Sequence, residues 1–338
     1  MIKSFSIDNF GPLNNIDVQK LDKINLIIGP NSSGKTFLLK ALYSVIRAQE
    51  ETGRGNENRD FAEILSDKMY WTFQPDKLGD LVTKGSNKRL KLLITLEDKS
   101  GLAFEFGPDT SKKIIPSYNN LSDREANSVF LPPKEVLSLS KTIMKSVLHD
   151  KVFGFDSTYS DLVLALQTPT QKGKNYSTFT DSRKQLESMF EGKIEYDSSN
   201  EKWIYKTGNK KFSINTTAEG IKKIAILDTL LGNRYISPES IIFIDEPESA
   251  LHPKAISQLL EIISMLADSG IQFFMASHSY FVVKKLYILA KQKNWSIPIL
   301  SASDNKWIID DLKDGMPANS IIDQSIHLYE EEVELVLG

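Results

Sequence analysis

The first residues in this chain able to do chemistry are eight in a row: Gly29-Pro30-Asn31-Ser32-Ser33-Gly34-Lys35-Thr36. They satisfy the pattern G-x-x-x-x-G-K-[ST] in the context that gives it meaning. An apolar strand-like run, Ile24-Asn25-Leu26-Ile27-Ile28, precedes them. A helical stripe of Phe37, Leu38, Leu39, Leu42, Tyr43 and Ile46 follows. Backbone N–H groups of such a loop, and of the helix it opens, converge on phosphate oxygens, and the helix dipole adds to the attraction. The glycines let the backbone come close. Lys35 is placed to neutralise the β- and γ-phosphates, and Thr36 to offer a hydroxyl to Mg²⁺.

A second constellation is Ser240-Ile241-Ile242-Phe243-Ile244-Asp245-Glu246-Pro247-Glu248. Four apolar residues make a buried strand, and two carboxylates emerge at its C-terminal end, where ligands sit in open α/β sheets. Asp245 suits the magnesium shell, and Glu246 suits polarisation of an attacking water. Ser277-His278-Ser279 closes the next strand-like run, so His278 can reach a γ-phosphate and the same water. Thr216-Thr217-Ala218-Glu219-Gly220-Ile221-Lys222-Lys223 opens a helix roughly twenty residues before the acidic strand. Thr217, Glu219 and Gly220 read either as a second anion site or as an ordinary threonine-capped helix start.

These groups need a scaffold, and the pattern around them supplies one. Residues 1–28 read as strands with a turn at Gly11-Pro12. Residues 50–60 read as a loop or frayed helix end, and residues 90–106 as a hairpin turning at 97–101. From 134 to 190 the pattern is helical, interrupted by a polar stretch at 168–180, and 193–214 reads as a further hairpin. Then helix and strand alternate: 218–232, 241–245, 253–268, 271–276 and 279–293. Such alternation predicts an α/β fold with a mainly parallel sheet. The expected division is 1–133 with the antiparallel β subdomain, an inserted helical lobe at 134–215, and 216–338 completing the first unit. No repeat and no sustained heptads are found.

The 338 residues carry a net charge of −3, so the molecule as a whole is not built as a polyanion binder. Cysteine is absent, which removes disulfides and thiolate metal sites. No run approaches the roughly 20 apolar residues of a membrane span, and the N-terminus lacks a signal-peptide core. The expectation is a soluble cytoplasmic protein without membrane contact.

Order and spacing together resemble the ABC-type ATPases, in the soluble branch that includes SMC, RecF and OLD-family proteins. The phosphate loop is similar to that branch's Walker A. Asp245-Glu246-Pro247-Glu248-Ser249-Ala250-Leu251-His252-Pro253 resembles its Walker B running into a D-loop. Ala276-Ser277-His278-Ser279 resembles its switch, and Ile7-Asp8-Asn9-Phe10-Gly11-Pro12-Leu13 its first strand and turn. Residues 315–337 are similar to the tail of small bacterial ATPases of this group. The resemblance implies ATP and Mg²⁺ as cofactors and a homodimer or higher even oligomer. In it Thr217, Glu219 and Gly220, as the signature, close over the partner's ATP. Thr217-Ala218-Glu219-Gly220 departs from the usual Ser-Gly-Gly wording, and no Q-loop glutamine follows the first helix. The segment Val129-Phe130-Leu131-Pro132-Pro133-Lys134-Glu135 stands where the branch often has a Pro-rich lid.

Other readings lose on specific residues. No Asn-Lys-x-Asp element supports a GTPase, and the insertion is too short and irregular for chromosome-organising arms. Only about sixty residues follow His278, too few for a Toprim nuclease domain. Asp310, Asp311 and Asp314 read as a solvated turn rather than a metal site. Two functions remain. One is an ATPase that regulates a separate effector protein in anti-phage defence or a toxin-type system, as the resemblance implies. The other is a RecF-like ATPase that binds DNA directly, for which the basic groups are Lys84, Lys88, Arg89 and Lys91, Lys172 with Lys174, and Lys206 with Lys210 and Lys211.

Overall fold

The computed structural model describes residues 1–54, 59–170, 173–303 and 306–337. The chain opens with β1 (Ile2–Asp8), β2 (Ile16–Val18) and β3 (Ile24–Ile28), followed by α1 (Lys35–Glu51) and α2 (Phe61–Phe73). Strands β4 (Leu90–Leu96), β5 (Gly101–Phe106), β6 (Pro116–Asn119) and β7 (Val129–Leu131) come next. The middle of the chain holds α3 (Ser140–Met144), α4 (Ser157–Gln167), α5 (Thr180–Phe190) and the strands β8 (Lys193–Asp197), β9 (Lys202–Thr207) and β10 (Lys210–Ser213). Then follow α6 (Glu219–Gly232), β11 (Ile241–Asp245), α7 (Pro253–Asp268), β12 (Gln272–Ser277), α8 (Tyr280–Lys293), β13 (Pro298–Ser303), β14 (Lys306–Asp311) and α9 (Ser320–Leu337).

The main sheet runs β14-β13-β3-β12-β11-β7. All its neighbours are parallel except the edge pair β13–β14. Strands β3, β11 and β12 are buried along their whole length, as expected of a parallel sheet covered on both faces. The pleat sorts their side chains. Ile24, Leu26, Ile28, Ile242 and Ile244 join a core with α5, α6, α7 and α8. Ile27, Ile241, Phe243 and Phe274 face α1 and a second core. That second core is closed on its far side by the antiparallel sheet β2-β1-β4-β5-β6, so α1 lies between two sheets. This accounts for the burial of Leu38, Leu39, Leu42, Tyr43 and Ile46, the stripe expected from the sequence.

One side chain joins the two sheets. Gln272 accepts from the Ile2 amide at 2.8 Å and donates to the Ile2 carbonyl at 2.8 Å and to the Asp22 carbonyl at 3.1 Å. The three-stranded sheet β10-β9-β8 stands apart, with α6 beside β8 and the Tyr205 hydroxyl of β9 donating to the Phe190 carbonyl at the end of α5. Among the described residues no helix is long and apolar enough to cross a membrane.

Several expectations need correction. Residues 50–60, expected as a loop or a frayed helix end, hold the end of α1 and then irregular backbone in the described residues 52–54 and 59–60. Helix α1 continues to Glu51, Asp60 caps α2 by accepting from the Glu63 amide at 2.8 Å, and residues 55–58 lie outside the described residues. Helix α2 escapes the periodicity reading because its buried face includes Ser66, Lys68 and Thr72 beside Ile64, Leu65 and Met69. The stretch 129–131 is a strand of the main sheet rather than a lid, pairing Ile242, Phe243 and Ile244 with Val129, Phe130 and Leu131. Asp310 and Asp311 are not turn residues but end the edge strand β14. Asp311 accepts from the Ser296 hydroxyl at 2.5 Å and the Ile297 amide at 3.0 Å, which fastens the start of β13.

Candidate active site

Strands β3, β12 and β11 are neighbours, and all three end at the same edge of the sheet. That edge receives the loop 29–36 from β3, Asp245 and Glu246 from β11, and His278 from β12. The loop enters α1 through Gly34, whose φ of 93° suits glycine and whose missing Cβ would sit 2.9 Å from Leu13 Cδ2. The turn at Pro12 and Leu13 is thereby pressed against the phosphate loop.

Lys35 folds back over the loop and donates to the carbonyls of Gly29 at 2.9 Å and Pro30 at 2.8 Å. Burial lowers its pKa, and the nearby carboxylates of Asp245, Glu246 and Glu248 oppose that shift. The Thr36 hydroxyl donates to Asp245 Oδ2 at 2.7 Å, so the two oxygen donors expected around a metal already meet. Burial raises the Asp245 carboxyl above the ordinary aspartate value, against the Thr36 bond and the charges of Lys40 and Lys35. Two protein oxygens, leaving room for phosphate oxygens and water, match the donor set Mg²⁺ prefers at nucleotide sites. Above them lies an open groove of about 500 Å³, lined by loop residues Asn31 to Thr36 and by Phe37, Lys40, Thr72 and Phe73.

Glu246 stands just past β11 with a φ of 51°, in the left-handed region. Its amide donates to the Ala276 carbonyl at 2.9 Å, and its carbonyl accepts from the Ser249 amide at 3.0 Å and from Lys223 Nζ at 2.5 Å. Its Oε1 lies 3.6 Å from His278 Nδ1, and Glu248 Oε1 lies 3.7 Å from the same nitrogen. Glu248 Oε1 also accepts from the Ser277 hydroxyl at 2.8 Å and the His278 amide at 3.2 Å, which fixes the backbone under the histidine. The side chains of Glu246 and His278 are 38% and 47% exposed, so both face the open edge rather than the core.

The start of α6 lies elsewhere. Thr217 donates to the Ser213 carbonyl at 3.2 Å, and Glu219 pairs with Lys222 at 2.9 Å. Neither residue nor Gly220 lines the groove. Helix α6 begins at Glu219 after Ala218, with no side-chain cap, so the threonine-cap alternative is not what the fold adopts. A Cβ on Gly220 would come within 2.8 Å of the Ala250 carbonyl, so this turn packs on the loop that follows Glu246. His252 caps α7, its Nδ1 accepting from the Lys254 amide at 3.2 Å.

Sequence reasoning missed Lys40, and it placed Lys223 in the motif that opens α6 without giving it a role. Lys40 reaches Asp156 at 2.6 Å and ties the wall of the groove to the start of α4. Lys223 is held among Glu248, Glu246 and Asp245, and burial brings its amine down to about 8 against their charges. The only signal was spacing: Lys40 is on the same helix as Lys35, and Lys223 follows Gly220 within one turn. The basic groups weighed for nucleic acid are partly answered by acids. Arg89 pairs with Glu105 at 3.1 Å, Lys84 with Asp80 at 3.5 Å, and Lys206 with Glu195. Lys172 lies outside the described residues.

Comparison with known proteins agrees with this geometry. Residues 24–284 match the family described as "AAA domain, putative AbiEii toxin, Type IV TA system". An "ATP/GTP phosphatase" of Helicobacter pylori is 22% identical, covering 88% of this chain and 90% of its own length. The "Old nuclease" of Escherichia phage P2 is 33% identical over 109 residues, which are 29% of this chain and 18% of that protein. The fold is shared with solved SMC head domains. One, crystallised with the C-winged helix domain of ScpA, has a TM-score of 0.53 at 13% identity, with 92% of this chain and 97% of that one covered. Another, an SMC head with an extended coiled coil bound to the C-terminal domain of ScpA derived from Pyrococcus furiosus, has a TM-score of 0.50 at 11% identity, covering 98% of both chains. With the family match spanning most of its length, the chain belongs to the "AAA domain, putative AbiEii toxin, Type IV TA system" family and is a P-loop ATPase that shares its fold with SMC head domains.

Proposed function

We propose that this chain binds Mg-ATP in the groove beside the loop 29–36, hydrolyses it within a nucleotide-closed homodimer, and thereby controls a separate effector protein in the cytoplasm. The observation that carries the reading is the convergence of Lys35, the Thr36–Asp245 pair, Glu246 and His278 at the ends of three adjacent parallel strands. Incoming phosphates take the place of the Gly29 and Pro30 carbonyls as partners of Lys35, while the amides at the start of α1 face the same oxygens. Thr36 and Asp245 hold Mg²⁺, which when bound neutralises phosphate charge. Glu246 accepts a proton from the attacking water, and His278, beside it, contacts the γ-phosphate.

Thr217, Glu219 and Gly220 sit outside the groove of their own chain, which supports a role facing the nucleotide of a second copy. The family's description as a putative toxin of a Type IV TA system supports a toxin-type setting, in which the separate effector is our proposal. Direct DNA binding, as in RecF, is the weaker reading because Lys84, Arg89 and Lys206 pair with carboxylates rather than forming a bare basic stripe.

The test is Glu246→Gln. Binding of a fluorescent ATP analogue should stay within about twofold, while phosphate release falls by about 100-fold or more. The variant should also accumulate as a nucleotide-bound dimer in light scattering. Wild-type phosphate release from Glu246→Gln would refute the assignment.

A further inference from the structure

The Glu246 backbone is held in a conformation that residues other than glycine seldom adopt. Such a conformation persists only where its surroundings over-determine it. Two of its fastenings are main-chain bonds, one to the Ala276 carbonyl of the neighbouring strand β12 and one from the Ser249 amide. The third is a side chain, from α6. Lys223, on α6, places Nζ 2.5 Å from the Glu246 carbonyl and 3.5 Å from that of Ser249. One turn earlier on the same helix, Gly220 lets α6 approach the Ala250 carbonyl so closely that a methyl group would not fit. Helix α6 thus grips the 246–250 loop at two points, one of them the residue that carries the reacting carboxylate.

From this geometry we infer that Lys223 is a positioning residue for Glu246: it holds the Glu246 backbone so that the carboxylate faces the attacking water. The inference rests on the reading of Glu246 as the general base. Lys223 does not line the groove beside the loop 29–36, and its Nζ bonds main-chain carbonyls, so it acts through Glu246 and is not itself a catalytic residue. Its bond ends on a main-chain carbonyl, so it sets where the side chain points without consuming the carboxylate. Lys35 and Thr36 lie on another element and do not depend on it, which separates the hydrolytic step from nucleotide binding. The same lever makes the position of α6 felt at Glu246. Whatever engages the first turn of that helix also bears on the orientation of the base in the same chain.

The experiment measures kcat, KM and the Kd of a fluorescent ATP analogue for the full chain and for Lys223→Met, Lys223→Arg and Glu246→Gln. Lys223→Met should lose about 10- to 100-fold in kcat, the usual effect of misplacing a reacting group by an ångström or so, with Kd within about twofold of wild type. Lys223→Arg keeps a charged donor and should recover most of that loss. Lys223→Gln tolerates hydration of the site but cannot reach the carbonyl, and it answers the same question if the methionine variant does not fold. Wild-type kcat in Lys223→Met or Lys223→Gln, with Glu246→Gln inactive, overturns the role of Lys223 and leaves Glu246 standing. Equal losses in kcat and nucleotide affinity would make Lys223 a general structural staple and also overturn it. Full activity in Glu246→Gln would instead bring down the general-base reading beneath it.

Discussion

Removing the carboxylate of Asp161 should destabilise the protein far more than an average substitution. Asp161, on α4, accepts from the Tyr43 hydroxyl at 2.7 Å and pairs with Lys68 at 3.0 Å. Lys68, on α2, also pairs with Glu51 of α1 at 2.9 Å, and Glu51 accepts from Arg47 at 2.9 Å. Three helices are therefore joined by one ionic cluster, in which the Lys68 and Asp161 side chains are 9% and 13% exposed. Burial alone would raise the pKa of Asp161, but Lys68, Arg47 and the Tyr43 hydrogen bond bring it below the ordinary value. Burial likewise works against the charge of Lys68, and Asp161 and Glu51 reverse the outcome to a raised pKa.

Breaking a buried pair from one side costs about 3–5 kcal/mol. Lys68 keeps Glu51, which points to the low end, while the stranded Tyr43 hydroxyl adds about 1 kcal/mol. Asp161→Ala should therefore lose about 3–4 kcal/mol in urea unfolding followed by tryptophan fluorescence, with an unchanged m-value. Replacing both partners, Lys68→Met with Asp161→Leu, should restore most of the loss, because neither charge is then left alone. The linkage signs follow from the two shifts. The Lys68 contribution is complete below the ordinary lysine pKa and is lost as pH rises through the folded value. The Asp161 contribution is complete above the ordinary aspartate pKa and is lost as pH falls through the folded value. The effect of Asp161→Ala should be constant around neutrality and shrink toward acid. A loss under about 1 kcal/mol at pH 7 would refute the claim that this cluster is a joint between the helices.

Three further outcomes are expected. Lys35→Ala should weaken binding of a fluorescent ATP analogue by at least about tenfold in titration, since it removes a cation bonded across the loop. Gly220→Ala places a methyl 2.8 Å from the Ala250 carbonyl and should lower stability by about 1–3 kcal/mol in urea, together with a reduced hydrolysis rate. Removing Mg²⁺ with EDTA should abolish phosphate release, and Asp245→Asn should require a higher Mg²⁺ concentration for half-maximal activity than wild type.

The parts of the site that sequence reasoning reached are those whose chemistry is written in adjacent residues. The loop 29–36 declares itself because phosphate binding by backbone amides needs glycines, a lysine and a hydroxyl within one turn. Asp245 and Glu246 are legible as candidates because their two carboxylates end an apolar strand downstream of such a loop; alone, the pair would read equally as a solvated acidic turn. Helix α2 was not legible, because Lys68 and Thr72 lie on its buried face and break the apolar period; their partners Asp161 and Ser157 come from distant sequence. Strand β7 is only three residues long, too short to show a period. Lys40 and Lys223 look like surface lysines in the sequence, and only tertiary packing turns one into a strut and the other into a clamp.

The order of strands in the main sheet has a consequence for how the chain is made. The strand that delivers the phosphate loop lies between β12 and β13, and 248 positions separate Asn25 from Phe273, whose carbonyl it contacts. During synthesis that apolar strand emerges early and finds no edge to join. At about 5–20 residues per second the wait is roughly 12–50 s, long for an exposed run of isoleucine and leucine. Ile2 waits in the same way for Gln272. A nascent chain stopped before residue 272 should therefore hold the entire phosphate-loop sequence and still be unable to shape it, remaining dependent on chaperones until about the last fifth of the molecule arrives.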